Sequence, residues 1–249
     1  HWIDVLIGKV NQDIHADVRA HAISALGRYV YEGEIAMDEG WDAPDVSIHA
    51  DDYARVTDFL FRIAQDPEEA LETRRYAIEA LAFRSDDADV IELIEWAYRH
   101  PDRRLKVSAI FSMARNGDPR FTDAILRELY SDDSELQHEA IHAAGELALP
   151  EAAAALIELI HDQTIRKSMR LLAIYSLGQT GAERAYTELD QLARAKDRDV
   201  RQVAQDALEE WYLVNEEQRE LDGDGLDEEF ALEALPDIWN DELGTFSRN

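Results

Sequence analysis

The run Gln137-His138-Glu139-Ala140-Ile141-His142 contains H-E-x-x-H. On a helix this spacing stacks two imidazoles one turn apart with a carboxylate between them. That donor set can hold zinc and polarise a bound water for hydrolysis. His161 and Asp162 follow at a separation that suits a third ligand. A second candidate is Glu220-Leu221-Asp222-Gly223-Asp224-Gly225. A calcium loop opened at Glu220 ends on Ala231, where a bidentate Glu is needed; opened at Asp222 it ends on Glu233 but puts Leu226 and Asp227 at its fifth and sixth positions. Neither register makes a calcium site. The meaning of the histidine pair depends on the element that carries it.

The chain has 249 residues, no cysteine and a formal charge of −29. Without cysteine there are no disulfides, thiolate metal sites or Cys nucleophile. The acidity repels phosphate backbones and no basic strip relieves it, so nucleic acid is not an expected partner. No apolar run approaches the roughly 18–20 residues that span a bilayer, so no membrane association is expected. The opening HWIDVLIGKVNQD lacks the basic start and continuous apolar block of a secretory signal, and a cytoplasmic location is expected. Because the first residue is His1 and not Met, a longer N-terminus is also expected. Lys9, Lys106, Lys167 and Lys196 are the only lysines. A salt-adapted proteome, GC-rich coding and an acidic binding surface each account for that balance.

Six segments align: VRAHAISALG from Val18, TRRYAIEALA from Thr73, LKVSAIFSMA from Leu105, LQHEAIHAAG from Leu136, MRLLAIYSLG from Met169 and VRQVAQDALE from Val200. Their fifth residue is always alanine: Ala22, Ala77, Ala109, Ala140, Ala173 and Ala204, spaced by 55, 32, 31, 33 and 31 residues. Small or apolar residues at positions one, five, eight and nine make a helical stripe. Asp102, Asp133 and Asp197 stand three residues before the apolar openers Leu105, Leu136 and Val200, as N-caps do. A further amphipathic segment precedes five of the aligned helices, for example RVTDFLFRIAQD from Arg55 and ADVIELIEWAYRH from Ala88. Each unit is therefore a helical hairpin, and such hairpins stack into an all-α solenoid of about six units. The predicted repeat domain covers residues 1–213, with an insertion over 32–54 between the first two repeats that carries Met37, Trp41 and Ile48. Residues 214–249 form an acidic C-terminal tail in which Phe230, Ala234, Leu235 and Trp239 offer apolar surface, either to cap the last repeat or to meet a partner.

The pattern apolar-Arg-x-x-Ala-Ile-x-Ala-Leu-Gly resembles HEAT repeats, particularly the short variety of bilin lyase-like proteins. The resemblance implies a right-handed stack whose second helices line a concave face. In this register Ala140 and Ile141 are the Ala-Ile of the repeat, so packing accounts for the middle of the zinc motif and only His138, Glu139 and His142 are unexplained. Deoxyhypusine hydroxylases, helical-repeat enzymes, hold two irons through four His-Glu pairs at these positions. This chain has one such pair, His138-Glu139, which does not hold a diiron centre.

Residues flanking the stripe read outward as His21 and Ser24, Tyr76 and Glu79, Ser108 and Phe111, His138 and His142, Leu172 and Tyr175, and Val203 and Asp206. Tyr76, Phe111, His142 and Tyr175 make an aromatic-rich line suited to anchoring a protein or peptide, although core packing also accommodates such rings. The expectation is a non-enzymatic scaffold, without cofactor or metal. It holds a protein partner bearing a basic patch through Tyr76, Phe111, His138, His142 and Tyr175, with Trp41 of the insertion as a further contact. The alternatives are a bilin lyase-like chaperone and a metal-dependent enzyme using His138, Glu139 and His142.

Overall fold

The computed structural model describes residues 2–40 and 48–221. Among these are twelve α-helices: α1 (Trp2–Gln12), α2 (Ala16–Glu39), α3 (Ala50–Gln65), α4 (Leu71–Leu81), α5 (Ala88–Arg99), α6 (Arg103–Asn116), α7 (Thr122–Glu128), α8 (Ser134–Glu146), α9 (Ala153–His161), α10 (Lys167–Gln179), α11 (Glu183–Leu192) and α12 (Arg198–Leu221). Short 3-10 turns at Pro119–Phe121 and Pro150–Ala152 lead into α7 and α9. No strand occurs among the described residues. Consecutive helices pair as six hairpins, and the aligned segments are their second members. The stretch 32–54 supplies the end of α2 and the start of α3, while residues 41–47, Trp41 among them, lie outside the described residues. The stretch from 214 continues α12 to Leu221; Phe230, Leu235, Trp239 and most of the calcium-like run also lie outside them.

The caps expected from sequence form. The Asp102 carboxylate accepts from the backbone N–H of Arg104, that of Asp133 from Glu135 and Leu136, and that of Asp197 from Asp199 and Val200. Each satisfies amides that the first helical turn leaves without partners. The second repeat residue has a matching task at the other end of the hairpin's first helix. Arg74 donates to the Ala64 carbonyl at 2.9 Å, Gln137 to Leu129 at 2.9 Å, Arg170 to Ile160 at 3.1 Å and Arg201 to Ala195 at 2.7 Å. These carbonyls belong to the last turn of the first helix or to the connection after it. A cation there satisfies free acceptors and opposes the negative end of the helix dipole. Arginine or glutamine at this position thus clasps these four hairpins closed, whereas Lys106 of α6 instead pairs with Glu128 of α7.

The second helices stack directly on one another in the order α2, α4, α6, α8, α10, α12, while contacts between successive first helices are sparse. Closer spacing on one side bends the stack, so the second helices line its concave side. Their approach is set by small residues at positions eight and ten. A Cβ placed on Gly27 would lie 3.0 Å from the Cβ of Ala80; on Gly145, 3.0 Å from the Cα of Ser176; on Gly178, 2.1 Å from the carbonyl oxygen of Ala207. In each pair, position ten of one helix meets position eight of the next.

The ends of the array obey the same register. Val18, first residue of the first aligned segment, is 38% exposed, whereas Thr73, Leu105, Leu136, Met169 and Val200 are at most 6% exposed. In the last repeat Gln205 and Glu209 replace the buried Ile and Gly or Ala of earlier repeats and face solvent. Trp211 donates its indole N–H to the Ala182 carbonyl at 2.8 Å, and Asn215 donates to the Gly181 carbonyl at 3.1 Å, fastening the extension of α12 to the turn between α10 and α11.

Gly178→Ala should destabilise the protein by about 1–3 kcal/mol through overpacking, despite a helix-propensity gain of about 1 kcal/mol. Gly8→Ala, where an added Cβ meets nothing within 4 Å, should stabilise by up to about 1 kcal/mol. Urea denaturation followed by circular dichroism measures both.

Candidate functional site

Positions four, seven and eleven of the second helices share the concave surface. In the first three hairpins they enclose a cavity of about 320 Å³ lined by Ser24, Arg28, Tyr31, Tyr76, Phe83, Phe111 and Arg115, with Gly27, Glu79 and Ala80. The backbone approach at Gly27 and Ala80 forms one wall, so the packing that builds the stack also shapes the pocket. The Arg115 guanidinium lies 4.3 Å from the ring centroids of both Phe83 and Phe111, and Tyr31 packs against Phe83 at 5.1 Å. Such stacking holds the rings upright while leaving their edges to solvent.

Beneath the rings lies a polar network. Arg75 donates to Glu79 at 3.1 Å, to Ser108 at 2.9 Å and to Glu72 at 2.6 Å. The Ser108 hydroxyl donates to Glu79, and Arg115 donates to the Glu79 carbonyl at 2.9 Å. Burial pushes the Glu79 carboxyl above the usual carboxylate range, outweighing the opposing effects of Ser108, Arg75 and Arg115. Burial also lowers the pKa of Arg115.

The line continues along α8, α10 and α12 with a different character. Phe111, His142 and Tyr175 all occupy position seven and are half-buried, as is Tyr76 at position four. His138 occupies position three; the residue in register with Tyr76 and Ser108 is its neighbour, Glu139. The His138 ring lies 3.5 Å from the Glu139 carboxylate, and the His142 ring 3.7 Å from that of Glu146. Tyr175 donates its hydroxyl to Glu210 at 3.2 Å, and burial together with Glu210 raises its pKa. Trp41 lies outside the described residues, so the structure does not place it on this surface.

The two histidines of H-E-x-x-H thus engage different carboxylates. His161 pairs with Glu188 across hairpins at 2.8 Å. Among the described residues, no three of His, Asp and Glu converge as a metal site. Sequence reasoning missed Arg28, Tyr31, Phe83 and Arg115. For three of them the signal lay just past the ten-residue alignment, where position eleven reads Arg28, Phe83, Arg115, Glu146, Gln179 and Glu210; Tyr31 stands three residues beyond it.

HEAT repeats match residues 90–168 and 122–209. These residues are HEAT repeats, and the described residues as a whole form an all-α solenoid. No curated protein matches its sequence. Among solved structures, the solenoid is similar to a designed armadillo repeat protein in complex with the peptide (KR)4: 15% identity, 85% of this chain and 100% of the other covered, TM-score 0.50. A second designed armadillo repeat protein is 14% identical over 84% of this chain and 99% of its own, with a TM-score of 0.49. Human deoxyhypusine hydroxylase is 15% identical over 85% and 96%, with a TM-score of 0.41. At such identities the likeness concerns fold alone. No helix among the described residues is long and apolar enough to cross a membrane.

The network under the solenoid's pocket has a definite pH signature. The Glu79 pKa is raised in the folded state, so folding favours its neutral form. Its contribution to stability is therefore present below the unfolded value and lost as pH rises through the folded value. Glu79→Gln should flatten the stability profile across that window and cost no stability at neutral pH. Arg75→Ala should lower neutral-pH stability by about 2 kcal/mol, less than a fully buried pair loses because some solvent reaches it. Thermal unfolding from pH 4 to pH 8 compares the variants.

Proposed function

We propose that this solenoid is a non-enzymatic cytoplasmic scaffold that holds a protein partner against its concave surface, using Tyr76, Phe111, His142 and Tyr175 with His138 at the margin. The observation that carries the reading is the row of half-buried rings on the second helices. They are fixed from behind by Arg75 and Arg115 and bonded sideways, in the case of Tyr175, to Glu210. Pre-set aromatic side chains lose little entropy on contact, and their amphipathic edges suit protein surfaces. The net charge of −29 favours a partner with a basic patch, which long-range attraction would steer into place and salt would slow. The designed armadillo protein with similar architecture was solved holding (KR)4, a basic peptide. That is a property of the designed protein, and it illustrates what a stacked-helix groove can accommodate.

Phe111→Ala combined with Tyr175→Ala should reduce retention of the natural partner in affinity capture at least tenfold, with the helical circular dichroism unchanged. Retention at the original level sinks the groove assignment. The metal-enzyme reading is tested separately. Protein purified with zinc present should carry well below one equivalent by elemental analysis, and His138→Ala with His142→Ala should leave that content unaltered.

A further inference from the structure

We infer that the concave surface is a two-part site for an extended peptide that has one apolar anchor residue followed by a run of basic residues. This rests on the proposed scaffold reading and specifies its ligand. The anchor position is the cavity of about 320 Å³ between α2, α4 and α6. Its rings, from Tyr31, Tyr76, Phe83 and Phe111, leave room for one large apolar side chain beside the Gly27–Ala80 contact. Arg115 is already sandwiched between two of these rings, and Arg28 is engaged by Glu32 at 2.7 Å. The pocket's arginines are therefore occupied, and the open part of its lining is chiefly apolar.

Beyond Phe111 the surface changes sign. Glu139, Glu146, Asp206 and Glu210 lie at positions four, seven and eleven of α8 and α12. Their side chains meet His138, His142, Gln202 and Tyr175 respectively. Elsewhere on the molecule the scarce cations do neutralise carboxylates: Arg103 bonds Asp133, Lys167 bonds Asp197 and Asp199, and Arg99 bonds Glu95. Among the described residues, none of these four concave carboxylates has an arginine or lysine within ion-pair distance. Between α8 and α12, α10 presents the uncharged Leu172, Tyr175 and Gln179, so the groove passes from an apolar pocket to two acidic patches, and charge complementarity selects a basic segment.

Geometry sets the ligand's length. Packed helices are about 8–10 Å apart, so α6 to α12 spans three steps of that size. An extended chain covers about 3.3 Å per residue, which fits roughly eight or nine residues, with one basic side chain for every two or three.

The test is fluorescence anisotropy at low salt with labelled ten-residue probes: Trp followed by three Gly-Lys-Arg triplets, the reversed order, the same triplets after Ala, and Trp before three Gly-Ser-Ser triplets. One anchored basic order should bind at least tenfold tighter than either probe with a single element. Phe111→Ala should abolish the anchor's gain and leave the salt-dependent remainder. Glu146→Gln with Glu210→Gln should remove most of the salt dependence and preserve preference for Trp. The convex pair Glu92→Gln with Asp123→Asn, exposed on the first helices α5 and α7, should change nothing. Basic probes that bind equally with Trp or Ala overturn the two-part site yet leave a groove for basic partners intact. Equal weakening by the convex pair overturns it as mere charge attraction. Binding of none of the probes by a protein that still captures its natural partner through Phe111 and Tyr175 overturns the ligand class and spares the scaffold reading.

Discussion

The backbone approach of neighbouring second helices governs this molecule. Where Gly178 meets Ala207 and Gly145 meets Ser176, no side chain fits between the helices, and the stack is drawn together on that side. First helices touch one another only sparsely, so the opposite side of the stack is wider. Curvature follows from this difference in spacing. So does the groove, because a surface bent inward brings positions four, seven and eleven of successive repeats into one concavity.

The same register explains why the array ends as it does. A repeat solenoid gains stability from interfaces between neighbours, and a terminal unit needs a surface that tolerates water. Gln205 and Glu209 provide it at the far end, in positions that are Ile and Gly or Ala in earlier hairpins. The extension of α12, held through Trp211 and Asn215, covers the adjoining turn after α10. At the other end Val18 keeps its apolar identity without the burial its equivalents enjoy.

Much of this architecture was legible in the residues because a repeat states its rule six times. The alanine at position five, the aspartate caps and the hairpin pairing all follow from one alignment. The arginine at position two could be counted from sequence, but its task could not. The carbonyls it satisfies lie ten residues earlier for Arg74 and Arg170, eight for Gln137 and six for Arg201, and no fixed spacing reveals a clasp. The pocket was harder still, since Tyr31 and Phe83 lie beyond the aligned decapeptide and meet only because α2 and α4 stack. Side-chain chemistry favours His138 for the outward line, whereas strict register gives that place to Glu139.

The histidine motif shows how architecture decides chemistry. H-E-x-x-H implies a site when its two imidazoles converge with a third donor on a shared centre. On α8 the interior letters are consumed by packing, since Ala140 and Ile141 are fully buried. The imidazoles then lie on the outer face, each beside its own carboxylate. A helix in a repeat stack offers its neighbours one face and solvent the other, and donors from successive hairpins reach a common point only when each repeat supplies one. Here the corresponding positions are Ala20 and His21 in α2, Arg75 and Tyr76 in α4, Val107 and Ser108 in α6, Leu171 and Leu172 in α10, and Gln202 and Val203 in α12, so the His-Glu pair of α8 is not repeated in any of its neighbours.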